Sequence, residues 1–471
     1  DFPLSLVAQV RPPSDPSRGE LTASHVFVYG DYAYVSYNTA GEEYSGGLDI
    51  LNISNPATPR LTSRLLYLNA DINSVTYDNG FVYAAGGVDS EVSVTATSNS
   101  FVAKIPAVNG RFDINGGIQY GFQQGFNAND LRISGQRLMV TSGKEGSLTV
   151  YNKTDLSIIE ELPYFDLRSI ALNEDKIALL DAGSGLKILD GSYQLIKEIL
   201  VTTDLGLATK KTIDYTGDRI IVPEAGQGAG VYSETTGSLL EYLPIMVNPQ
   251  DLAEGDRVTN AVVSNDEVIL MANGGAGLCL SEEKDGQLSP VGIIELEGSI
   301  NYVQSKGDYI IAASGREGVQ IIKLNRPPES LESRCASLPI YEGSAKLNIP
   351  AGQEYAFSGS KRFNNMKING SLLLCGSWTV RNNVLINTDA LFEYRGNLII
   401  GRNNSRKELT VAPGATFRVE GNLTLYGDLI LEDGATLEFL GPDSRVNIFG
   451  EVEIGDNVNI SGTFEDIRNK F

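Results

Sequence analysis

Residues 25–36, HVFVYGDYAYVS, hold two short apolar runs on either side of a Gly-Asp turn, and the arrangement recurs six more times. The later copies are SVTYDNGFVYAA (74–85), DLRISGQRLMVT (130–141), SIALNEDKIALL (169–180), TIDYTGDRIIVP (212–223), AVVSNDEVILMA (261–272) and YVQSKGDYIIAA (302–313). Their turn positions, Gly30, Asn79, Gly135, Glu174, Gly217, Asp266 and Gly307, stand 39 to 56 residues apart. That period, with a Gly-rich loop and a third apolar run after each copy, is the signature of four-stranded sheets repeated around an axis. Four residues before the turn stand Val26, Val75, Leu131, Ile170, Ile213, Val262 and Val303, an apolar side chain in every copy. Two-residue alternation puts these side chains on one face, where the neighbouring sheet covers them. Several of the turns carry Gly or Asn, which suit the positive φ of tight hairpins.

The seventh copy has three runs and stops at Asn325, so its outermost strand is missing. Leu4–Val10, LSLVAQV, precedes the first copy and has no partner there. Unpaired sheet edges are a liability, and pairing this segment into the last sheet removes it. The expected fold is therefore all-β: a seven-bladed β-propeller over residues 1–325, closed by strand 4–10.

At 471 residues the chain is long enough for two or three domains. Its hydrophobic fraction of 42% suffices for packed cores, and no apolar run is long enough to span a membrane as a helix. A formal net charge of −22 argues against nucleic acid and anionic lipid surfaces as partners. The chain opens on Asp1-Phe2-Pro3 without an initiator Met or an apolar leader, so a preceding segment is expected to have been removed.

The stretch from Gly30 to Ser63 resembles the LVIVD repeat: an aromatic-rich strand, then Gly46-Gly47-Leu48, then Asn52-Ile53-Ser54-Asn55-Pro56. The other six copies lack the Asn-Pro segment. The resemblance implies an exported or cell-surface protein of bacterial type, in the periplasm or on the surface, and transfers no catalytic residue.

Residues 326–336 read as a linker, after which very short strands alternate with turns over 337–471. Gly414-Ala415-Thr416 returns twenty residues later as Gly434-Ala435-Thr436. A step near twenty residues fits a β-solenoid of the parallel β-helix kind, with a small sandwich as the alternative. Cys335 and Cys375 fall near or within this part and can form one disulfide in an oxidising compartment, while Cys279 reads as a packed thiol.

Catalytic motifs are scarce. His25 is the sole histidine, which leaves any two-histidine metal motif without its ligands. Gly226-Gln-Gly-Ala-Gly230 lacks the helix of a phosphate loop, and Asp113-Ile-Asn-Gly116 lacks the closing carboxylate of a calcium loop. No cofactor is expected. Six residues before each turn stand Ser24, Asn73, Asn129, Arg168, Lys211, Asn260 and Asn301, polar in all seven copies. At the mouth of a central channel such a ring can hydrogen-bond a sugar or a carboxylated ligand, or instead cap strand ends and hold water. Glu42, Glu43, Asp89, Glu91, Glu145, Asp181, Glu224 and Glu317 are expected on the same loop face. These features favour an exported, non-enzymatic binding or scaffolding protein, with a glycan or surface protein as partner. The alternative is a polysaccharide-active enzyme using paired carboxylates, with or without calcium.

Overall fold

The structure, a computed structural model, describes residues 4–15, 19–39, 43–206, 210–247, 249–265, 268–284, 286–325 and 330–471. Glu42, the sixth turn at Asp266 and the linker residues 326–329 lie outside the described residues. The chain divides into two compact units, Asp1–Arg326 and Pro327–Phe471.

The first unit is a seven-bladed propeller. Blade 1 is the antiparallel sheet Thr22–Tyr29, Tyr32–Asn38, Gly46–Asn52 and Arg60–Tyr67. The inner strands of blades 2 and 3 are Ala70–Asp78 and Ala128–Ser134. Strand Ile158–Asn173 serves twice, its first half as the outer strand of blade 3 and its second half as the inner strand of blade 4. Blades 5, 6 and 7 begin at Asp214–Thr216, Arg257–Ser264 and Tyr302–Lys306. The 56-residue step from Asn79 to Gly135 is explained by blade 2, where Arg111–Phe112 and a 3-10 turn at Ile114–Gly116 precede the outer strand Gln119–Gln123. Leu4–Val10 pairs antiparallel with Val319–Leu324 and supplies the fourth strand of blade 7.

The seven apolar positions four residues before the turns are all buried, at 0–1% exposure. They belong to six separate inter-blade clusters, because each sheet packs only against its two neighbours. The six described turn positions all have left-handed φ, between +45° and +60°. Glu174 adopts that conformation without the freedom glycine has, at a cost of about 1 kcal/mol.

The second unit is a β-solenoid. Strands Glu354–Phe363, Ser371–Val380, Leu391–Ile400 and Thr416–Leu425 stack parallel and in register, and a second sheet of six short strands runs from Lys346–Ile349 to Val452–Ile454. Parallel rungs rule out the hairpin-built sandwich, since hairpins join antiparallel strands. Ala415 and Ala435 are fully buried at the corners, the reason small residues recur there. Gly359, Gly376, Gly396 and Gly421 form a column with φ of +116° to +129°. A Cβ on any of the last three would meet the carbonyl oxygen of the glycine one rung earlier at 1.9–2.2 Å. Cys335, at the end of the short helix Glu332–Cys335, is disulfide-bonded to Cys375 with a Cα–Cα separation of 5.8 Å.

Candidate functional site

Strict alternation would place the ring position and the buried position two residues later on the same face. The backbone separates them. In blades 1 to 4 the strand register slips by one residue at Ser24, Asn73, Asn129 and Arg168, so each is the extra residue of a β-bulge. A bulge re-aims one side chain, here away from the inter-blade core.

The re-aimed side chains link the blades in a circle. Ser24 Oγ donates to Ile72 O at 2.6 Å, Asn73 Nδ2 to Ala128 O at 3.0 Å, and Asn129 Nδ2 to Leu167 O at 2.8 Å. Asn260 Nδ2 reaches Ile300 O at 3.1 Å, and Asn301 Nδ2 closes the loop on Ala23 O at 2.9 Å. In each case the acceptor is the carbonyl just before the next blade's ring residue. The circle is interrupted at blades 4 and 5, where Arg168 donates to Gly206 O at 2.7 Å and holds Asp166 through two bonds of 2.9 and 3.0 Å.

Six of the seven ring residues line a cavity of about 730 Å³. Lys211 does not, and its assignment to the ring is corrected: Lys210 takes its place. Blade 5 has a three-residue inner strand, and Thr212 bridges in parallel to Ala261 of blade 6 instead of forming a bulged pair. Lys211 is buried at 1% exposure, donating to Lys210 O at 3.0 Å, with its pKa pushed down to about 8 by burial and then by Arg168. Counting back from the turn cannot distinguish the two adjacent lysines.

Other lining residues escaped the repeat alignment. Asn38 and Asn127 flank Asn73: Asn38 Nδ2 donates to Asn73 Oδ1 at 3.0 Å, and Asn73 Nδ2 to Asn127 Oδ1 at 2.6 Å. The spacing of Asn127 and Asn129 was the available sign, since residues two apart share a face. Lys144, Arg168 and Arg316 supply three cations, and Lys210 an amine, against the carboxylates of Asp166 and Asp256, and the ring of Phe126 is exposed at the rim.

Beneath lies a second polar tier. Asp130, 1% exposed, accepts from Arg132 Nη1 at 2.8 Å, Ser74 Oγ at 3.2 Å and Ser169 Oγ at 2.8 Å. His25 is buried and stacks on Tyr302 at 3.7 Å between centroids. Burial, with Lys210 and Arg132 nearby, holds its pKa well below the ordinary range, so the ring is neutral at pH 7.

The expected acidic loop face is partly consumed by the fold. Asp181 is buried and accepts from Gly183 N at 2.8 Å; Glu224 is buried and accepts from the Tyr232 hydroxyl at 2.6 Å. Glu317 accepts from Gln9 Nε2 and Arg11 Nη1 at the closing strand. Among the described residues no group of three or more His, Cys, Asp or Glu side chains is placed to hold a metal ion, and no helix is long and apolar enough to cross a membrane.

The family model of the LVIVD repeat matches residues 22–66, which is blade 1. No curated protein matches the chain. Among solved structures it is similar to the WD40 β-propeller domain of Doa1, at 14% identity and a TM-score of 0.48 over 72% of this chain and all of that one. It is also similar to the WD40 repeats of RRP9, at 12% identity and a TM-score of 0.50 over 68% of this chain and 97% of that one. The latter likeness speaks to fold alone. The chain is thus a β-propeller with an LVIVD repeat as its first blade, followed by a β-solenoid, an architecture that suits a binding or scaffolding role.

Proposed function

We propose that the protein is an exported, non-enzymatic binding or scaffolding protein whose channel-mouth cavity holds a carboxylated sugar or a glycan containing one. The observation that carries this reading is the cavity's lining: six Asn side chains, three cations and the Lys210 amine, in a chain of net charge −22. Asn129, held in place by its bond to Leu167 O, has a second N–H and a carbonyl oxygen to offer a ligand, while Asn73 is already bonded through both ends of its amide. Amides recognise hydroxyls, Lys144 and Arg316 suit a carboxylate, and Phe126 offers a flat apolar face for a sugar ring. The Cys335–Cys375 disulfide supports an extracytoplasmic location, because such bonds persist in oxidising compartments.

Calorimetric titration of the full chain with oligogalacturonate and with neutral maltooligosaccharide tests the reading. Oligogalacturonate should bind and the neutral glycan should bind at least tenfold more weakly. The Asn73→Ala/Asn129→Ala double variant should lose most of the affinity. Equal affinity for both glycans, or no binding of either, overturns the carboxylate assignment. Cleavage of the glycan would favour the paired-carboxylate enzyme instead.

A further inference from the structure

The cavity holds one amine whose surroundings differ from those of a surface lysine. Lys210 Nζ donates to Asn73 O at 2.8 Å and lies 3.0 Å from His25 Nδ1, with the Tyr302 ring centroid 5.4 Å away. With Lys210 as donor, Nδ1 is the acceptor and the neutral imidazole carries its proton on Nε2. The charged and titratable groups acting on this amine and its neighbours are His25 from blade 1, Asp130 and Arg132 from blade 3, Asp214 from blade 5 and Tyr302 from blade 7. Asp130 is already engaged by Arg132, two serine hydroxyls and the amides of Leu131 and Ile170. No carboxylate is therefore hydrogen-bonded to the amine among the described residues.

Two acceptors match the two N–H bonds of a neutral amine and leave its lone pair on the remaining side. A protonated amine would carry a third N–H for which the described residues provide no acceptor. Burial brings the group down to about 7, with Asp130 opposing the shift and Arg132 assisting it. Lys210 lines the same cavity as the polar ring, so a bound ligand shares its space.

We propose that Lys210 captures the aldehyde of a carboxylate-bearing ligand, such as an open-chain uronate, as a reversible imine. The nitrogen lone pair attacks the carbonyl carbon, forming the C–N bond. Both amine protons then pass to the carbonyl oxygen, which leaves as one water, and no oxidant or reductant is consumed. His25 Nδ1 is placed to relay one of those protons, and Lys144 and Arg316 supply the charge that the carboxylate needs. This inference rests on the channel mouth being the binding site.

The test uses the full chain with glyoxylate, which joins an aldehyde to a carboxylate, and cyanoborohydride to reduce any imine to a stable carboxymethyl-lysine. Peptide mapping after brief reaction at pH 7 should show Lys210 modified at least tenfold faster than the mean of the other lysines. Lys210→Arg should abolish the fast phase, whereas Lys211→Arg should keep it. Circular dichroism should show both variants folded, and in the wild type galacturonate should slow the labelling of Lys210. Even labelling of all lysines, or a fast phase that survives in Lys210→Arg, overturns the proposal. If galacturonate binds calorimetrically while labelling is even, the imine fails and the binding reading stands. If Lys210 labels fast while galacturonate neither binds nor competes, the amine chemistry stands and the uronate reading fails.

Discussion

In the solenoid, Phe392 and Phe417 occupy consecutive rungs with ring centroids 5.3 Å apart, inside a single apolar cluster that runs from Leu347 to Ile448. In the propeller, the region where the seven inner strands converge holds Asp130, Arg132, His25 and Lys210, and the apolar residues are divided among six clusters between blades. Both units are made of short β-strands; the difference lies in how strands are superposed. In-register parallel stacking sets each side chain on its counterpart one rung away, so an apolar column forms without exposing backbone groups. Radial packing brings the starts of seven strands together, where carbonyls such as Ile72 O and Leu167 O, beside β-bulges, accept bonds from side chains of the preceding blade. Polar side chains therefore fill the propeller's centre.

The largest test of this contrast is Phe417→Ala, which opens a void in the continuous solenoid core and should cost about 3–5 kcal/mol. Chemical denaturation should show the loss in the solenoid's transition and leave the propeller's unchanged; an equal loss in both would erase the distinction. Next, Cys335→Ser releases a bond spanning 40 residues and should cost the solenoid about 2–4 kcal/mol. Its product should titrate with two accessible thiols on denaturation, Cys279 and Cys375, against one in the wild type. In the propeller, Asn129→Ala removes the side-chain donor to Leu167 O and should cost about 1–3 kcal/mol, read by calorimetry as a lowered propeller transition. A cost near zero would mean that water replaces the amide.

A further expected effect is a pH slope in the propeller. Burial depresses Lys210 to about 7 and Lys211 to about 8, against an ordinary value of 10.5. Between these values the unfolded chain binds more protons than the folded one, so stability rises with pH from about 7 toward 10.5. The penalty for burying the charged forms is fully present below pH 7. Melting curves of Lys210→Met at pH 6, 7.5 and 9 should show a flatter pH dependence than the wild type, and an unchanged slope would place the titration elsewhere.

The blade count was legible because Val26 and its six counterparts carry a packing constraint that repeats in every copy. The polar ring was legible for the same reason, although its cause was not: a β-bulge is a property of two paired strands, and only one of them is read at a time. Lys211 was misplaced because the chain before blade 5 bridges in parallel to blade 6 at Thr212 and Ala261, a departure that counting from Gly217 does not detect. The glycine column of the solenoid was hidden by steps of 17, 20 and 25 residues between its members, since loops of different length intervene. Lys210 gains its character from His25 and Asn73, 185 and 137 residues away, and no local pattern announces such a meeting.

The pairing of Leu4–Val10 with Val319–Leu324 also sets a timetable. During synthesis this strand leaves the ribosome before the rest of the propeller and is the last of the propeller's described strands to find its partner. At roughly 5–20 residues per second, about fifteen to sixty seconds pass before the complementary strand appears. Throughout that interval an alternating apolar segment waits with both edges unsatisfied, and six blades stand as an open arc. A chain built this way has reason to be held unfolded, or escorted, until its last blade is made, and the ring is sealed by a strand made some three hundred residues earlier.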